Sequence, residues 1–386
     1  MRILLSIHHD LDPDTGAPGA TLALGKSLAE EGHSVEYLSF DDMPGNPPFI
    51  AATVAFPYFA AAQMAARAGH GLDVIDASTG DAWVWSRLDR RPGRPVLVTR
   101  SHGLEHLFQA RETEQAAREG RKLSRRYPLY WGGWRLREVA LSLRGSDLVF
   151  VLSEEERAYV VDRLGVRPER VRLTANGVPD SFLEKVREAG ENPGGPEIAW
   201  VGAHRAIKGV EHGSAALASA LEADPELRVS FFGPGVPAAT VLARFPPHLH
   251  DRLAVTERYH RDELPMLLRG HSIAFFPSLS EGFSLALVEA MVCGLAPIAS
   301  DIPGNRETVS DGVNGVLVPA GDASAATAAI LRLKRDGELL SRLRQAATTA
   351  GEKYSWKRIA AQTAAAYREA IERRQEARPQ PAAPTR

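Results

Sequence analysis

The chain contains 386 residues, of which 44% are hydrophobic and 24% are charged, and its formal net charge is −2 at pH 7. This length exceeds one ordinary hydrophobic core and predicts two domains of similar size, while the balanced charge argues against nucleic-acid binding through a large net positive charge. The single cysteine, Cys293, excludes an intrachain disulfide framework and favours a reducing compartment.

The N-terminal sequence MRILLSIHHD is predicted to form the first buried strand. Its apolar run is too short for a signal peptide, and no small-residue cleavage site follows it. No stretch of about 18 consecutive apolar residues occurs, so a transmembrane helix is not expected. The expected location is the cytoplasm, with membrane association left open.

Short apolar strands alternate with helical segments through the first half of the chain. A helix is predicted at residues 20–32, where apolar residues recur at helical spacing until Gly32. This alternation is typical of a parallel β-sheet covered by helices on both faces. The predicted strands occupy residues 2–7, 33–40, 72–78, 95–102 and 146–153.

A cluster of glycine and proline near residue 190, in the sequence ENPGGP, predicts a domain boundary. A second alternating series follows it. Its predicted strands occupy residues 197–202, 228–233, 253–258, 272–278, 296–300 and 315–319.

These two series predict an α/β protein with two Rossmann-like doubly wound domains, at residues 1–185 and 190–350, that face a cleft. Ligands of such sheets bind beyond the carboxyl ends of the strands, and the candidate residues below all follow predicted strands. Residues 375–386 are rich in proline and poor in apolar residues, and are predicted to form a disordered tail.

The stretch SLSEGFSLALVEAMVCG carries Glu281 and Glu289 on either side of a predicted helix start at Phe283 or Ser284. Free backbone N–H groups and the helix dipole would favour an anion such as a diphosphate there. These groups belong to Gly282, Phe283, Ser284 and Leu285. Because a carboxylate beside a phosphate would repel it, both glutamates are interpreted as acceptors for hydroxyl groups of a sugar and a ribose. The alternative makes Glu281 a turn cap and Glu289 a solvated helix residue.

The sequence IAWVGAHRAIKGV predicts a strand that ends near Gly202, followed by a loop with Arg205 and Lys208. Lysine suits a diphosphate as a point charge and arginine as a planar fork. With a helix N-terminus they would stabilise a departing UDP or GDP without a metal ion. No Asp-x-Asp pair lies in a convincing loop; Asp41–Asp42, the nearest candidate, falls in a predicted surface turn. The alternative is a solvated loop with ordinary surface charges.

A Gly-rich segment, DPDTGAPGATLALG, places Gly16 and Gly19 in a predicted loop between the first strand and the first helix. By itself such a segment is more typical of a turn than of a ligand site. It is not a G-x-G-x-x-G sequence followed by an acidic residue about 20 positions later, which a nicotinamide-dependent oxidoreductase would need. That class of enzyme is therefore disfavoured.

The sequence VTRSHGLEH places His102 at the end of a predicted strand, where an imidazole could hydrogen-bond a sugar hydroxyl or accept a proton. A structural histidine in a loop is the alternative. His102 is preferred as the site residue over His106, His8 and His9. Glu105 and His106 are candidates for contact with an acceptor.

The chain resembles retaining glycosyltransferase family 4, most specifically in its second half, and members of that family have the two-Rossmann GT-B fold. The stretch PSLSEGFSLALVEAMVCGLAPIASDIPGNRETVSDGVNGVLV carries the E-x7-E signature, TANGV resembles the end of the N-terminal domain, and SWKRIAAQTAAAY resembles the closing helix. The resemblance covers roughly residues 1–375. It implies that a helix at 355–374 completes the N-terminal acceptor domain and that the donor binds mainly the C-terminal domain.

The resemblance also implies roles for single residues. Glu281 would contact donor-sugar hydroxyls, Glu289 the ribose, and the backbone of the residues after Glu281 the donor. Gly19–Ala20 occupies the family's Gly-Gly position near the donor phosphate and the acceptor. His102 would lie near the C6 hydroxyl of the donor sugar.

In the loop after the strand at 197–202, the family usually has an arginine directly after the glycine and then a Lys-Gly pair. Lys208 followed by glycine matches the pair, whereas Ala203 stands where the arginine is common. Arg205 is the candidate replacement. The family further implies front-face attack, in which the leaving phosphate helps to deprotonate the acceptor hydroxyl.

Residues 111–144 hold nine Arg or Lys against four Glu, with two tyrosines and two tryptophans interleaved. This pattern suits an anionic membrane surface. It also suits an acidic acceptor or single-stranded nucleic acid, or a solvated helix with ordinary aromatic packing. The membrane is preferred because several members of the family act on lipid-linked acceptors at membranes, and no nucleic acid is expected.

The sequence as a whole predicts a retaining, metal-independent glycosyltransferase that needs no cofactor besides its UDP- or GDP-sugar co-substrate. The acceptor would be a glycan, a lipid-linked sugar or a small natural product. The alternative is a non-catalytic sugar-nucleotide-binding protein of the same fold, which would be expected to lack His102 or Lys208. The nucleotide base, the donor sugar, the acceptor and the linkage are not specified.

Overall fold

The computed structural model describes residues 1–376 except positions 14, 46, 90, 92, 119, 125 and 126. The chain divides into two units, one formed by Met1–Ala175 with the C-terminal stretch from Trp356, the other by Asn176–Ser355. Residues 377–386 of the predicted tail lie outside the described residues, as do Arg125 and Arg126 of the basic stretch.

The first unit contains a six-stranded parallel sheet. Its strands are β1 (Arg2–Ser6), β2 (Ser34–Leu38), β3 (Val74–Ser78), β4 (Val96–Arg100), β5 (Leu148–Val151) and β6 (Val171–Leu173). The strand order is β2-β1-β3-β4-β5-β6. Strands β3 and β4 are buried at every position, as expected of a sheet with both faces covered. The short edge strand β6 was not predicted.

Helices cover both faces of this sheet. They are α1 (Gly16–Glu30), α2 (Phe49–Ala68), α3 (Trp83–Leu88), α4 (Glu105–Arg118), α5 (Arg135–Gly145), α6 (Glu154–Ala158) and the C-terminal helix (Trp356–Glu376). A π-helical turn at Tyr130–Trp134 leads directly into α5.

The start of α1 differs from the prediction, because Gly16 and Gly19 lie in its first turn and not in a loop. Thr15 precedes the helix with extended backbone angles, φ −108° and ψ 158°. Pro18 is tolerated in the first turn, where its missing N–H would have no intrahelical acceptor.

Helix α2 is long and apolar enough to cross a membrane by length and composition alone. Such helices also occur in the cores of proteins that do not span membranes. Phe56, Ala60 and Met64 of α2 are buried in a core that includes Leu4 and Ile75 of the sheet. One side of α2 therefore packs on the first unit.

The C-terminal helix packs on the first unit through buried side chains that include Trp356 and Tyr367. The Tyr367 hydroxyl donates to Asp76 Oδ2 at 2.5 Å. Arg100 donates to the same oxygen from Nη2 at 2.7 Å. Because all three side chains are buried, this network fixes the helix to strands β3 and β4 more specifically than apolar contact alone.

The second unit contains another six-stranded parallel sheet. Its strands are β7 (Glu197–Val201), β8 (Arg228–Phe232), β9 (Leu253–Thr256), β10 (His271–Phe276), β11 (Ala296–Ser300) and β12 (Val316–Val318). The order is β12-β11-β10-β7-β8-β9. Its helices are α7 (Asp180–Ala189), α8 (Val210–Ala223), α9 (Ala238–Leu242), α10 (Leu264–Leu267), α11 (Leu285–Val292), α12 (Pro303–Arg306), α13 (Ala323–Arg335) and α14 (Gly337–Gly351). The predicted α/β class of two doubly wound parallel sheets is confirmed.

The division between the units falls at residues 175 and 176, earlier than the boundary predicted near residue 190. The reason is α7, whose Phe182 is fully buried in a core shared with Leu268 and Met291 of the second unit. The Gly- and Pro-rich segment that follows α7 therefore connects two elements of one unit.

Candidate active site

Two loops of the second unit carry most of the predicted donor residues. One follows β7 and contains Gly202, Arg205 and Lys208, and the other follows β10 and contains Glu281. Strands β7 and β10 are neighbours, and the chain continues from β7 to β8 on the opposite side. The two loops thus meet where the strand order reverses, which is the usual ligand position in doubly wound sheets.

The loop after β7 is held close to the chain after β10. Gly209 has a φ of +72°, and a Cβ built on it would lie 1.8 Å from the carbonyl oxygen of Pro277. The Leu279 N–H also donates to the Ile207 carbonyl at 2.8 Å. A glycine is required at position 209 because no side chain fits between these two backbone segments.

Lys208 and Glu281 are brought together, as their predicted roles around one ligand require. The Lys208 ammonium contacts Glu281 Oε1, and the Ser278 hydroxyl donates to the same oxygen at 2.8 Å. Glu281 is 12% exposed and Lys208 33% exposed, so both groups reach solvent. The carboxylate is oriented by its neighbours and remains accessible to a ligand.

Helix α11 begins at Leu285, slightly later than the predicted start. Ser284 precedes the helix, and its side chain accepts no capping hydrogen bond. Within the described part of the chain, the N–H groups of residues 285–287 find no acceptor. Phe283 packs on Tyr354 with ring centroids 5.7 Å apart. The first turn of α11 thus offers amide donors to an anion.

Glu289 is buried on α11, so the alternative of a solvated helix residue is wrong. Its Oε1 accepts a hydrogen bond from Arg261 Nε at 2.5 Å. Burial raises the pKa of Glu289, and the Arg261 guanidinium opposes this shift. Arg261, which lies in the segment after β9, was not predicted. The sequence offered one signal for it: Arg261 is a positively charged residue shortly after β9, another strand of the same sheet.

Arg205, the predicted replacement for the family's arginine, is exposed. Among the described residues it makes no side-chain hydrogen bond or ion pair, so its position gives no support to a particular role. Gly202 directly follows β7 and has a φ of +132°. Asp41 and Asp42, the nearest candidates for a metal-binding pair, accept hydrogen bonds from the backbone N–H groups of Leu11 and Ser39.

The remaining predicted residues belong to the first unit. Gly16 is exposed at the first position of α1, and Gly19 donates to the Thr15 carbonyl at 3.0 Å. A Cβ on Gly19 would lie 2.5 Å from the Pro13 carbonyl oxygen. Gly19 therefore permits a close approach of backbone to backbone within the protein.

His102 follows β4, and its Nδ1 is buried without a hydrogen-bond partner among the described residues. Burial, together with the charges of Arg100, His8 and His9, lowers the pKa of His102 to about 3. The imidazole is therefore neutral near pH 7. A neutral imidazole can exchange hydrogen bonds with a hydroxyl group but carries no charge to bind a phosphate.

A buried polar cluster in the first unit was largely missed. His8 Nδ1 lies 2.7 Å from Asp81 Oδ1, and Arg135 Nη2 lies 3.1 Å from His8 Nε2 and 3.2 Å from Glu105 Oε1. Arg135 is only 1% exposed, so its assignment to a basic surface stretch is wrong. His8, Asp81 and Glu105 follow the adjacent strands β1, β3 and β4, which was the signal available.

Replacing Gly304 with alanine is expected to weaken nucleotide binding by roughly tenfold, about 1.4 kcal/mol. A Cβ at this position would lie 2.4 Å from the carbonyl oxygen of Glu281 and 2.9 Å from that of Gly282, and would displace the loop after β10. Titration of UDP and GDP by calorimetry measures the effect. Gly337→Ala is the control, because a Cβ there has nothing within 4 Å. Equal affinities for the two variants would contradict the dependence of the loop on Gly304.

Sequence comparison relates both halves of the chain to known glycosyltransferases. A family model described as Glycosyltransferase Family 4 matches residues 16–182, and one described as Glycosyl transferases group 1 matches residues 181–350. The chain is 32% identical over 247 residues to a D-inositol 3-phosphate glycosyltransferase of Streptomyces bingchenggensis, covering 58% of this chain and 53% of the relative. It thus spans about half the length of that relative.

A second relative is matched over more of its length. It is an MMP alpha-(1->4)-mannosyltransferase of Mycolicibacterium hassiacum, 33% identical over 287 residues, which cover 73% of this chain and 67% of the relative. Among solved structures, sucrose-phosphate synthase from Thermosynechococcus elongatus matches with a TM-score of 0.74 at 22% identity, over 96% of this chain and 99% of that chain.

The structure of Anabaena HepE in complex with UDP matches with a TM-score of 0.69 at 19% identity, over 96% of this chain and 100% of that chain. At these identities the two solved structures show the fold alone, and the family follows from the sequence matches. The chain belongs to glycosyltransferase family 4 and has the GT-B fold.

Proposed function

We propose that the protein transfers a sugar from a UDP- or GDP-sugar to an acceptor hydroxyl, with retention of configuration and without a metal ion. The observation that carries this proposal is the contact between Lys208 and Glu281 beside the first turn of α11. A cation, an accessible carboxylate and amide donors in adjoining loops suit the phosphate and the hydroxyl groups of a nucleotide sugar. Membership of family 4 supports the same reading.

In the proposed reaction the bond between sugar C1 and the diphosphate oxygen breaks, and C1 forms a bond to the acceptor oxygen on the same face. The acceptor proton passes to an oxygen of the departing diphosphate, so no protein nucleophile takes part. Lys208 and the amides at the start of α11 would stabilise the charge that develops on the diphosphate. As Lys208 turns to the phosphate, Glu281 becomes free to accept hydrogen bonds from two sugar hydroxyls.

The other residues would hold the donor in place. Glu289, oriented by Arg261, would accept the ribose hydroxyls, and neutral His102 would exchange a hydrogen bond with the donor sugar. Arg205 is exposed after β7 and would supply a second cation to the diphosphate. Gly202 and Gly19 would let the backbone approach the ligand closely.

The proposed acceptor is a carbohydrate or a sugar-bearing small molecule, and the proposed location is the cytoplasm. Attachment to an anionic membrane through residues 111–144 stays a prediction. Arg135 of this stretch is buried, while Arg111 contacts Glu155 and Arg121 Nη2 lies 2.9 Å from Glu112 Oε1. Fewer basic side chains are therefore available to a membrane surface than the sequence predicted.

A donor screen tests the proposed function. Purified protein is incubated with UDP- and GDP-sugars and an acceptor panel, with and without EDTA, and nucleotide release and the anomeric configuration of the product are measured. We expect release from one donor class, no inhibition by EDTA, and a product with the donor's configuration. Binding of nucleotide without release would favour the non-catalytic alternative. Inhibition by EDTA would contradict the proposed independence from a metal ion. A product with inverted configuration would contradict the proposed retention.

A further inference from the structure

Helix α11 places the carboxyl group of Glu289 beside an apolar core. Its chain neighbours Val288 and Ala290 are fully buried in that core, and the Glu289 side chain itself is only 8% exposed. An ionised carboxylate in such surroundings is unfavourable unless a cation or several hydrogen-bond donors compensate for the lost water. The charge state of Glu289 therefore depends on the groups that reach its two oxygens.

Arg261 reaches only one of those oxygens. Arg261 Nε donates to Glu289 Oε1 at 2.5 Å, and Arg261 Nη2 contacts the same oxygen. Glu289 Oε2 accepts no hydrogen bond from a described residue, yet it is not sealed from solvent. The guanidinium thus occupies Oε1 and leaves Oε2, with both of its lone pairs, open to a ligand.

No second cation among the described residues supports Glu289. Tyr259 and Cys293 lie near it, but burial and the charge of Glu289 raise the pKa of both, so both are neutral near pH 7. Burial also raises the pKa of Glu289, and Arg261 is the one charged group in the described chain that opposes this shift. Removing the guanidinium would therefore leave Glu289 without any counterion.

The backbone that carries Arg261 is held in place. A short turn, Arg261–Glu263, follows His260, and the His260 N–H donates to Glu263 Oε2 at 2.9 Å. Leu264, the next residue, is buried in the same core as Val288. A capped turn anchored in the core fixes the start of the Arg261 side chain, which is 38% exposed at the rim of the site.

We propose that Arg261 is a positioning residue that keeps Glu289 ionised and leaves only Oε2 for the ribose of the donor, and that this arrangement selects ribose over 2′-deoxyribose. The inference rests on the proposed function for the placement of the ribose at Glu289. An ionised carboxylate accepts hydrogen bonds from hydroxyl groups that are roughly twice as strong as those between neutral groups. Loss of the 2′-hydroxyl would leave the open oxygen with one donor fewer.

The test compares nucleotides that differ only in the 2′-hydroxyl: UDP with 2′-deoxy-UDP, and GDP with 2′-deoxy-GDP. Dissociation constants for the full chain are measured by calorimetry between pH 5 and pH 9. The ratio of the deoxynucleotide constant to the ribonucleotide constant is the readout, because titration of the shared base and diphosphate cancels in it. For the base that binds, we expect a ratio of at least about ten at pH 9 and a smaller one at acidic pH, where Glu289 gains a proton.

Three variants identify the role of the Arg261 charge. In Arg261→Gln the pKa of Glu289 rises further, so the decrease of the ratio should begin at least about one pH unit higher than in the parent chain. Arg261→Lys keeps the positive charge and should reverse most of this displacement. Arg342→Gln alters an exposed arginine of α14 and should reproduce the parent curve. A purely structural role of Arg261 would not displace the curve, since a loss of folded protein weakens both affinities together.

The same pH curve in Arg261→Gln and in the parent chain would overturn the proposal. So would a displacement that Arg261→Lys does not reduce, a ratio near one in the parent chain at pH 9, or no binding of any of the four nucleotides. The outcomes also separate this proposal from the proposed function. Selection of ribose with a displaced curve but without sugar transfer would remove the transferase function and leave the role of Arg261. Sugar transfer with an undisplaced curve would support the transferase function and refute that role.

Discussion

Replacing Glu281 with alanine is expected to lower kcat/KM for sugar transfer by at least about 100-fold, or about 2.7 kcal/mol of transition-state stabilisation. The change removes the carboxylate proposed to hold the donor-sugar hydroxyls and leaves Lys208 without its present partner. Because Glu281 reaches solvent, the fold should persist. Initial rates with the identified donor and the midpoint of urea unfolding measure the two effects.

Glu211→Ala is the matched control, because Glu211 is exposed in the first turn of α8 in the same unit. It should leave both the rate and the unfolding midpoint nearly unchanged. Since Lys208 and Glu281 touch, the double variant Lys208→Ala with Glu281→Ala should lose less activity than the sum of the single losses in free energy. Normal turnover in Glu281→Ala would remove the central assignment of the site.

The second unit was well predicted because five of its six strands are short apolar runs that end in serine or are followed directly by glycine or proline. Each such run is long enough to register as a buried parallel strand. β6 escaped prediction because the middle one of its three residues is the charged Arg172, whereas the equally short edge strand β12 is entirely apolar. The start of α1 was misplaced because glycine and proline usually interrupt helices, whereas the first turn tolerates both.

The residues of the candidate site also fall into a group that was predicted from the sequence and a group that was missed. Lys208 and Glu281 were predictable because each lies in the loop that follows a strand, and parallel strands end at one edge of a sheet. Arg261 also follows a strand, β9, but both it and Arg135 were missed, because a charged residue in a linear sequence is usually solvated unless its partner is known. Arg135 was further concealed by the exposed charges around it, and only the folded chain shows that it lies against three carboxyl groups.

Replacing Arg135 with glutamine is expected to lower the free energy of unfolding by about 3–5 kcal/mol at pH 8, because it leaves buried carboxylates without their cation. Glu138 is 1% exposed, and its Oε2 lies 3.6 Å from Arg135 Nη1. Urea unfolding followed by circular dichroism measures the loss. Arg137→Gln, on the exposed face of the same helix, should stay within about 0.5 kcal/mol of the parent chain.

The loss of stability in Arg135→Gln should also depend on pH, and the direction of this dependence follows from the pKa of Glu138. Burial raises the pKa of Glu138 in the folded chain, and Arg135 opposes that shift, so removing the guanidinium raises this pKa further. A carboxyl group whose pKa is raised in the folded state costs little stability at pH values below its pKa in the unfolded state. The cost grows as pH rises from the unfolded-state pKa to the folded-state pKa. The variant should therefore be closest to the parent chain near pH 5 and furthest from it near pH 8. A stability difference that does not change with pH would show that Arg135 acts through packing and not through its charge.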